Sequence, residues 1–170
     1  DFWYPSKFTT VLDSIRSRDK YDVVSTDEMM LNNENGDRKI LRHGPYTKSL
    51  YKIMLLYGNR LSPSATLVRR SFLFENQLLF REDPEFVSVE DYDLWLRLAL
   101  VGARFKFIHS IEGVYNIHEN NISNKQELQT ANLNSLLLDH VNNIQNFEKD
   151  KAKLLKIINS RICLAQNLHL

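Results

Sequence analysis

Glu90, Asp91 and Asp93 stand together at the head of an amphipathic segment, "VSVEDYDLWLRLALVG" over 87–102. A carboxylate in that place has two uses. In the first turn of a helix it meets unpaired backbone N–H groups and the positive end of the helix dipole, worth ~0.3–1 kcal/mol each, with Ser88 as the expected N-cap. At a helix terminus on the edge of a sheet it can instead project into a crevice and take a proton from a bound hydroxyl. The dipole accounts for Glu90 and Asp91 but gives no reason for Asp93, which lies beside the apolar stripe of Leu94, Leu98 and Val101. Residue types alone leave both uses open.

The remaining polar groups carry weaker signals. Arg38, Lys39, Arg42, His43, Lys48 and Lys52 form a basic group interspersed with acids and polar residues. It reads first as a solvated face, and second as a contact for an anionic membrane surface or a phosphorylated lipid-linked acceptor. His109 and the single cysteine, Cys163, suggest packing or exposure only.

These residues must be positioned by a fold of bounded size. A chain of 170 residues suffices for one domain with a core. Its 43% hydrophobic and 25% charged content is ordinary for a soluble protein. No apolar run approaches the ~18 residues of a membrane span. A formal net charge of +1 gives no basic excess, so nucleic acid is not expected as a partner. One cysteine can make neither an intrachain disulfide nor a thiolate metal cage, which fits a reducing, cytoplasmic location. The first residue is Asp rather than Met, with no signal-like segment after it, so the sequence reads as an excised or processed piece.

Periodicity places the elements. Pro5 followed by Phe8, Val11, Leu12 and Ile15 predicts an amphipathic helix over 5–19. A strand follows over 21–31, then a turn-rich surface loop around Gly36. A helix over 46–57 closes at Gly58-Asn59, and 64–73 reads as a buried strand ending in Arg69 and Arg70. The helix over 89–101 carries the acids and stops at Gly102, with Trp95 packing it on the sheet and Arg97 pairing a local acid. Two short strands are expected within 103–118, "ARFKFIHS" and "IEGVYNIH". Ser123 and Gln126 match a capping box, after which helix is expected to Leu170 with a break near 147–150. The alternation of strand and helix predicts an α/β fold with a helical C-terminal appendage. The appendage would dock on its own chain by default, or carry the seam of a homodimer.

Two stretches carry a family resemblance. "EDYDLWLRLALVGARFKFIHSIEGVYNIHENNIS" resembles the C-terminal part of the catalytic domain of glycosyltransferase family 2, inverting nucleotide-sugar transferases with the GT-A fold. Glu90-Asp91, Asp93 to Arg97, Gly102, Tyr115 and His118 match the family's acidic pair, its Asp-Leu-Trp-Leu-Arg run, its Gly and its Tyr-Arg-x-His element. "DFWYPSKF" is similar to the stretch after the family's Asp-x-Asp motif, through Asp1, Trp3, Pro5, Lys7 and Phe8. "SPSATLVRRSFL" resembles the family's middle strand. The likeness spans roughly 1–123, leaving 124–170 as a helical extension. Asn116 stands where the family usually has Arg.

The resemblance implies a partial GT-A sheet with flanking helices, whose Asp-x-Asp pair and nucleotide-binding strands would lie upstream of Asp1. It implies a nucleotide-sugar donor, a glycan or lipid-linked acceptor and a divalent cation, Mg²⁺ or Mn²⁺. Surface polysaccharide synthesis in a bacterium, at the inner face of the membrane, is the setting such families suggest. Asp91 would be the catalytic base. Glu90, Asp93 and Trp3 would contact substrate, and Asp1 and His118 would lie at the metal. The alternative is a glycan- or partner-binding module that keeps this acceptor-side fold without transfer.

Overall fold

In a computed structural model of the chain, the described residues are 1–16, 20–117, 126–143, 151–153 and 155–160. They form an α/β fold around a mixed, open five-stranded sheet. In chain order the elements are β1 (Phe2–Trp3), α1 (Lys7–Ile15), β2 (Val23–Asn32), β3 (Arg38–Leu41), α2 (Leu50–Tyr57), β4 (Thr66–Val68) and α3 (Arg70–Glu75). A 3-10 turn (Pro84–Phe86) then leads into α4 (Glu90–Leu100), followed by β5 (Phe105–Ile117) and α5 (Gln126–Asn143). Residues 151–153 and 155–160 are also helical. No described helix is long and apolar enough to cross a membrane.

β2 is the centre of the sheet. It pairs parallel with β5 on one side and antiparallel with β3 and β4 on the other. Residues 23–28 of β2 are all buried, as expected of a strand covered on both faces. β1 adds antiparallel to the outer side of β5, with Phe2 opposite Val114 and Trp3 opposite Gly113. Glycine is required there: a Cβ at Gly113 would meet the Phe2 carbonyl oxygen at 2.9 Å.

Several elements differ from what periodicity predicts. The two strands expected within 103–118 are one, β5, because bulges opposite Thr26–Asp27 and Asp27–Met29 shift its alternation without ending its pairing. The loop around Gly36 is the turn of a hairpin, closed by side-chain bonds from Asn32 to the Glu34 N–H and from Asn35 to the Asp37 N–H. Its second strand, β3, has the charged character of a sheet edge. The strand expected over 64–73 is only β4, because Arg69 turns to the Asp22 carboxylate and the chain enters α3 at the next residue. In α1 the predicted apolar face is half open: Val11 is buried, whereas Phe8 and Leu12 are exposed beside the edge strand. The Ser123 capping box and the break near 147–150 lie outside the described residues.

The core joins these layers. Met54 and Leu55 of α2, Leu96 and Leu98 of α4, Val23 of β2 and Phe105 of β5 pack with Leu136, Leu137 and Val141 of α5 and with Ile158. Full burial of such a side chain stabilises by about 1.5–3 kcal/mol. Described residues from 124–170 therefore contribute to the same core as those from 1–123.

Candidate active site

The head of α4 is built by the turn before it. The Val89 N–H bonds the Phe86 carbonyl at 3.0 Å and the Asp93 N–H bonds the Val89 carbonyl at 3.0 Å, so Val89 and not Ser88 occupies the N-cap. Ser88 sits one residue earlier at φ 67°, a left-handed conformation costing roughly 1–2 kcal/mol for a residue with a side chain. Its Oγ is buried without a hydrogen-bond partner, as is Oε2 of Glu90. The helix terminus thus forms without the expected side-chain cap.

Asp91 is half-buried in this first turn. Its Oδ1 accepts from the Tyr92 N–H at 2.7 Å, and its Oδ2 from the Asn59 amide at 3.3 Å. Burial pushes its carboxyl up to about 6 and the Glu90 charge adds to that, while the Tyr92 and Asn59 bonds pull it back. The group is mostly ionised at neutral pH, yet it holds a proton more firmly than an ordinary carboxylate. That combination suits a general base.

Asp93 lies on the inner side of the same turn, fully buried. Its Oδ2 accepts from Arg97 Nε at 2.6 Å and lies 3.6 Å from Arg81 Nε, while its Oδ1 is 3.0 Å from His140 Nε2 of α5. Burial opposes its ionisation, but His140, Arg97 and Arg81 outweigh that and hold its carboxyl below the usual range. The imidazole continues to the Tyr51 hydroxyl, 3.1 Å from Nδ1. Both Asp93 oxygens are taken up by the protein, and Trp95 is buried in the core beside them.

A second polar corner forms where β1 meets the segment after α2. The Trp3 indole N–H and the Lys7 ammonium both donate to the Ser64 carbonyl, at 2.6 and 2.8 Å, and Lys7 Nζ lies 4.5 Å from the Trp3 ring centroid. Lys7 is fully buried. Desolvation lowers its pKa, while Glu28 and Glu112 act in the opposite sense. Glu28 is also fully buried, with His43 Nε2 at 3.5 Å. Burial opposes its charge, yet the polar groups of His43, Ser64 and Ser62 outweigh that and hold its pKa down. Residues 59–64 therefore join the two motifs: Asn59 binds Asp91 at one end and Ser64 binds Trp3 and Lys7 at the other. Trp3 itself is 43% exposed, with Phe8 edge-on at 5.4 Å.

Asp1 lies at the far end of β5, where its Oδ1 accepts from the Asn116 N–H at 2.9 Å. His118 lies outside the described residues. Among the described residues no group of three or more His, Cys, Asp or Glu side chains is placed to hold a metal ion.

The sequence alone reads Asn59 as part of a helix stop and His43 as part of a solvated basic face. Only the others of that group that are exposed, Arg38, Lys39, Arg42 and Lys48, fit that description. The signal for His43 is Asp27-Glu28 in the middle of an apolar strand, because buried acids need partners. Asp27 finds the His43 N–H at 3.1 Å and His109 Nδ1 at 3.3 Å.

Scanned against protein-family models and against curated proteins, the chain matches none.

Proposed function

We propose that this chain is the acceptor-side part of an inverting nucleotide-sugar glycosyltransferase of the GT-A type, with Asp91 as its general base. The observation that carries the reading is the environment of Asp91: a carboxylate at a helix terminus, raised to about 6 by burial, with Asn59 fixing one oxygen. In the reaction, Asp91 takes the proton of the acceptor hydroxyl as that oxygen attacks the anomeric carbon. The bond to the donor diphosphate breaks on the opposite face, and the nucleoside diphosphate leaves with the electron pair. Glu90 stays beside the base and keeps its proton affinity high. Trp3 offers an exposed ring for stacking on sugar. Asp93 supports α4 from inside. On the family resemblance the donor would be bound by strands outside this sequence, with Mg²⁺ or Mn²⁺ as cofactor. On the same resemblance Asp1 would be a ligand that this sequence offers to the ion.

The exposed Trp3 and Phe8 pair favours a second reading, a glycan-binding surface that acts without transfer.

The pH dependence of kcat/KM in the full-length gene product separates the two. With Asp91 as base, the rate falls about tenfold per pH unit below about 6. Asn59→Ala removes a bond that favours the charged form, so the same limb moves to higher pH. A binding module shows no turnover at any pH, and an acid limb near 4 assigns the base elsewhere.

A further inference from the structure

The strained turn ahead of the acids is gripped from α5. Asn132 is buried, and its Nδ2 donates to the Pro84 carbonyl at 3.1 Å and to the Val87 carbonyl at 2.9 Å. Only the amide nitrogen has two hydrogens to give to two carbonyls, so this side chain has one productive orientation. The two acceptors bracket the 3-10 turn, and Ser88 with its left-handed backbone follows directly. Two helical turns further along α5, Asp139 accepts from Arg81 at 2.9 Å, and the Arg81 guanidinium covers the buried Phe86 ring at 4.4 Å. The turn is therefore held at two points by the same helix.

We infer that Asn132 is a positioning residue for the carboxylates at the head of α4, acting through the 84–89 turn. Without its two hydrogen bonds nothing on α5 fixes the Pro84 and Val87 carbonyls, and Ser88 can relax out of its costly conformation. Relaxation admits water to Asp91, whose groups in contact are Glu90 and the Tyr92 N–H on its own helix and Asn59 from the segment after α2. Helix α5 thus does more than fill the core: it sets the proton affinity of a residue on a different element.

The functional importance of this inference rests on the reading of Asp91 as base, but its test does not require turnover. Carboxyl ¹³C resonances of the chain are titrated by NMR, with Asp91→Asn identifying the Asp91 signal. In the parent chain Asp91 is expected to titrate near 6. Asn132→Ala is expected to lower that midpoint by on the order of one pH unit as burial is lost. Asn132→Ser, which keeps a single donor, is expected to fall between the two and reports the same effect if the alanine variant does not fold. Val141→Ala, which thins the packing of α5 away from the turn, serves as the control and should leave the midpoint in place. An unchanged midpoint in the Asn132 variants, or an equal shift in Val141→Ala, overturns the assignment. A shifted midpoint in a protein that transfers no sugar upholds the positioning role and discards the transferase reading.

Discussion

Asp91→Asn is expected to reduce sugar transfer by the full-length gene product by about 10²–10⁴-fold, the range associated with removal of a positioned base. The same variant is expected to be more stable than its parent at pH 8. The folded pKa of Asp91 is raised from an ordinary 3.8 to about 6. Between those values the folded chain binds the proton that the unfolded chain has released, so stability falls as pH rises through that window. Above about 6 the full cost of burying the charge is present, and a neutral amide of the same shape does not incur it. The gain is on the order of 2 kcal/mol or less, because the carboxylate keeps some solvent and two hydrogen bonds. Thermal melts at pH 8 and at pH 4 check this, with the difference between variant and parent shrinking at the lower pH. Turnover retained in Asp91→Asn, or a variant that melts lower than its parent at pH 8, contradicts the account of this carboxylate.

Asp93→Ala is expected to give the largest loss of stability, about 3–5 kcal/mol, as is usual when one member of a buried charged cluster is removed and its partners remain. Arg97 and His140 are both largely buried and both face the lost carboxylate, at 2.6 and 3.0 Å. For a chain of this size the loss corresponds to a fall in Tm of roughly 10 °C. Because the folded pKa of Asp93 is depressed, its contribution is present above the ordinary aspartate value and is lost as pH falls below that value and through the lower folded one. The gap in Tm between Asp93→Ala and the parent should therefore narrow on acidification because the parent loses stability, whereas at Asp91 in the same helix turn the gap narrows because the parent gains it. A variant with unchanged Tm contradicts the structural role. Loss of transfer at a temperature where the variant is fully folded instead assigns Asp93 to the substrate.

The two neighbours illustrate how much of the site a sequence can carry. The helix over 89–101, the turn at Gly102 and the clustering of acids at its head are legible because period 3.6 and a glycine stop are local properties. The α/β class follows from the same alternation. What separates Asp91 from Asp93 is not local: one meets Asn59, and the other meets His140 from α5 and Arg81 from the segment ahead of the 3-10 turn. No spacing rule reaches across 47 residues to pair Asp93 with His140. The β5 bulges hide one strand as two, and Arg69 diverts β4 into α3 for the sake of the Asp22 carboxylate, so sequence periodicity misplaces both elements. Ser88 is the residue type that caps helices, yet the 3-10 turn delivers it in the wrong conformation and one position early.

The most direct test of the central claim is the stereochemistry of transfer. The full-length gene product is incubated with nucleotide sugars and candidate acceptors in the presence of Mg²⁺ or Mn²⁺, and product and nucleoside diphosphate are followed together by NMR. One nucleoside diphosphate is expected for each sugar transferred, with a product whose anomeric configuration is opposite to that of the donor and loss of both signals in Asp91→Asn. A product that retains the donor's configuration, or no release from any donor tested, contradicts the claim.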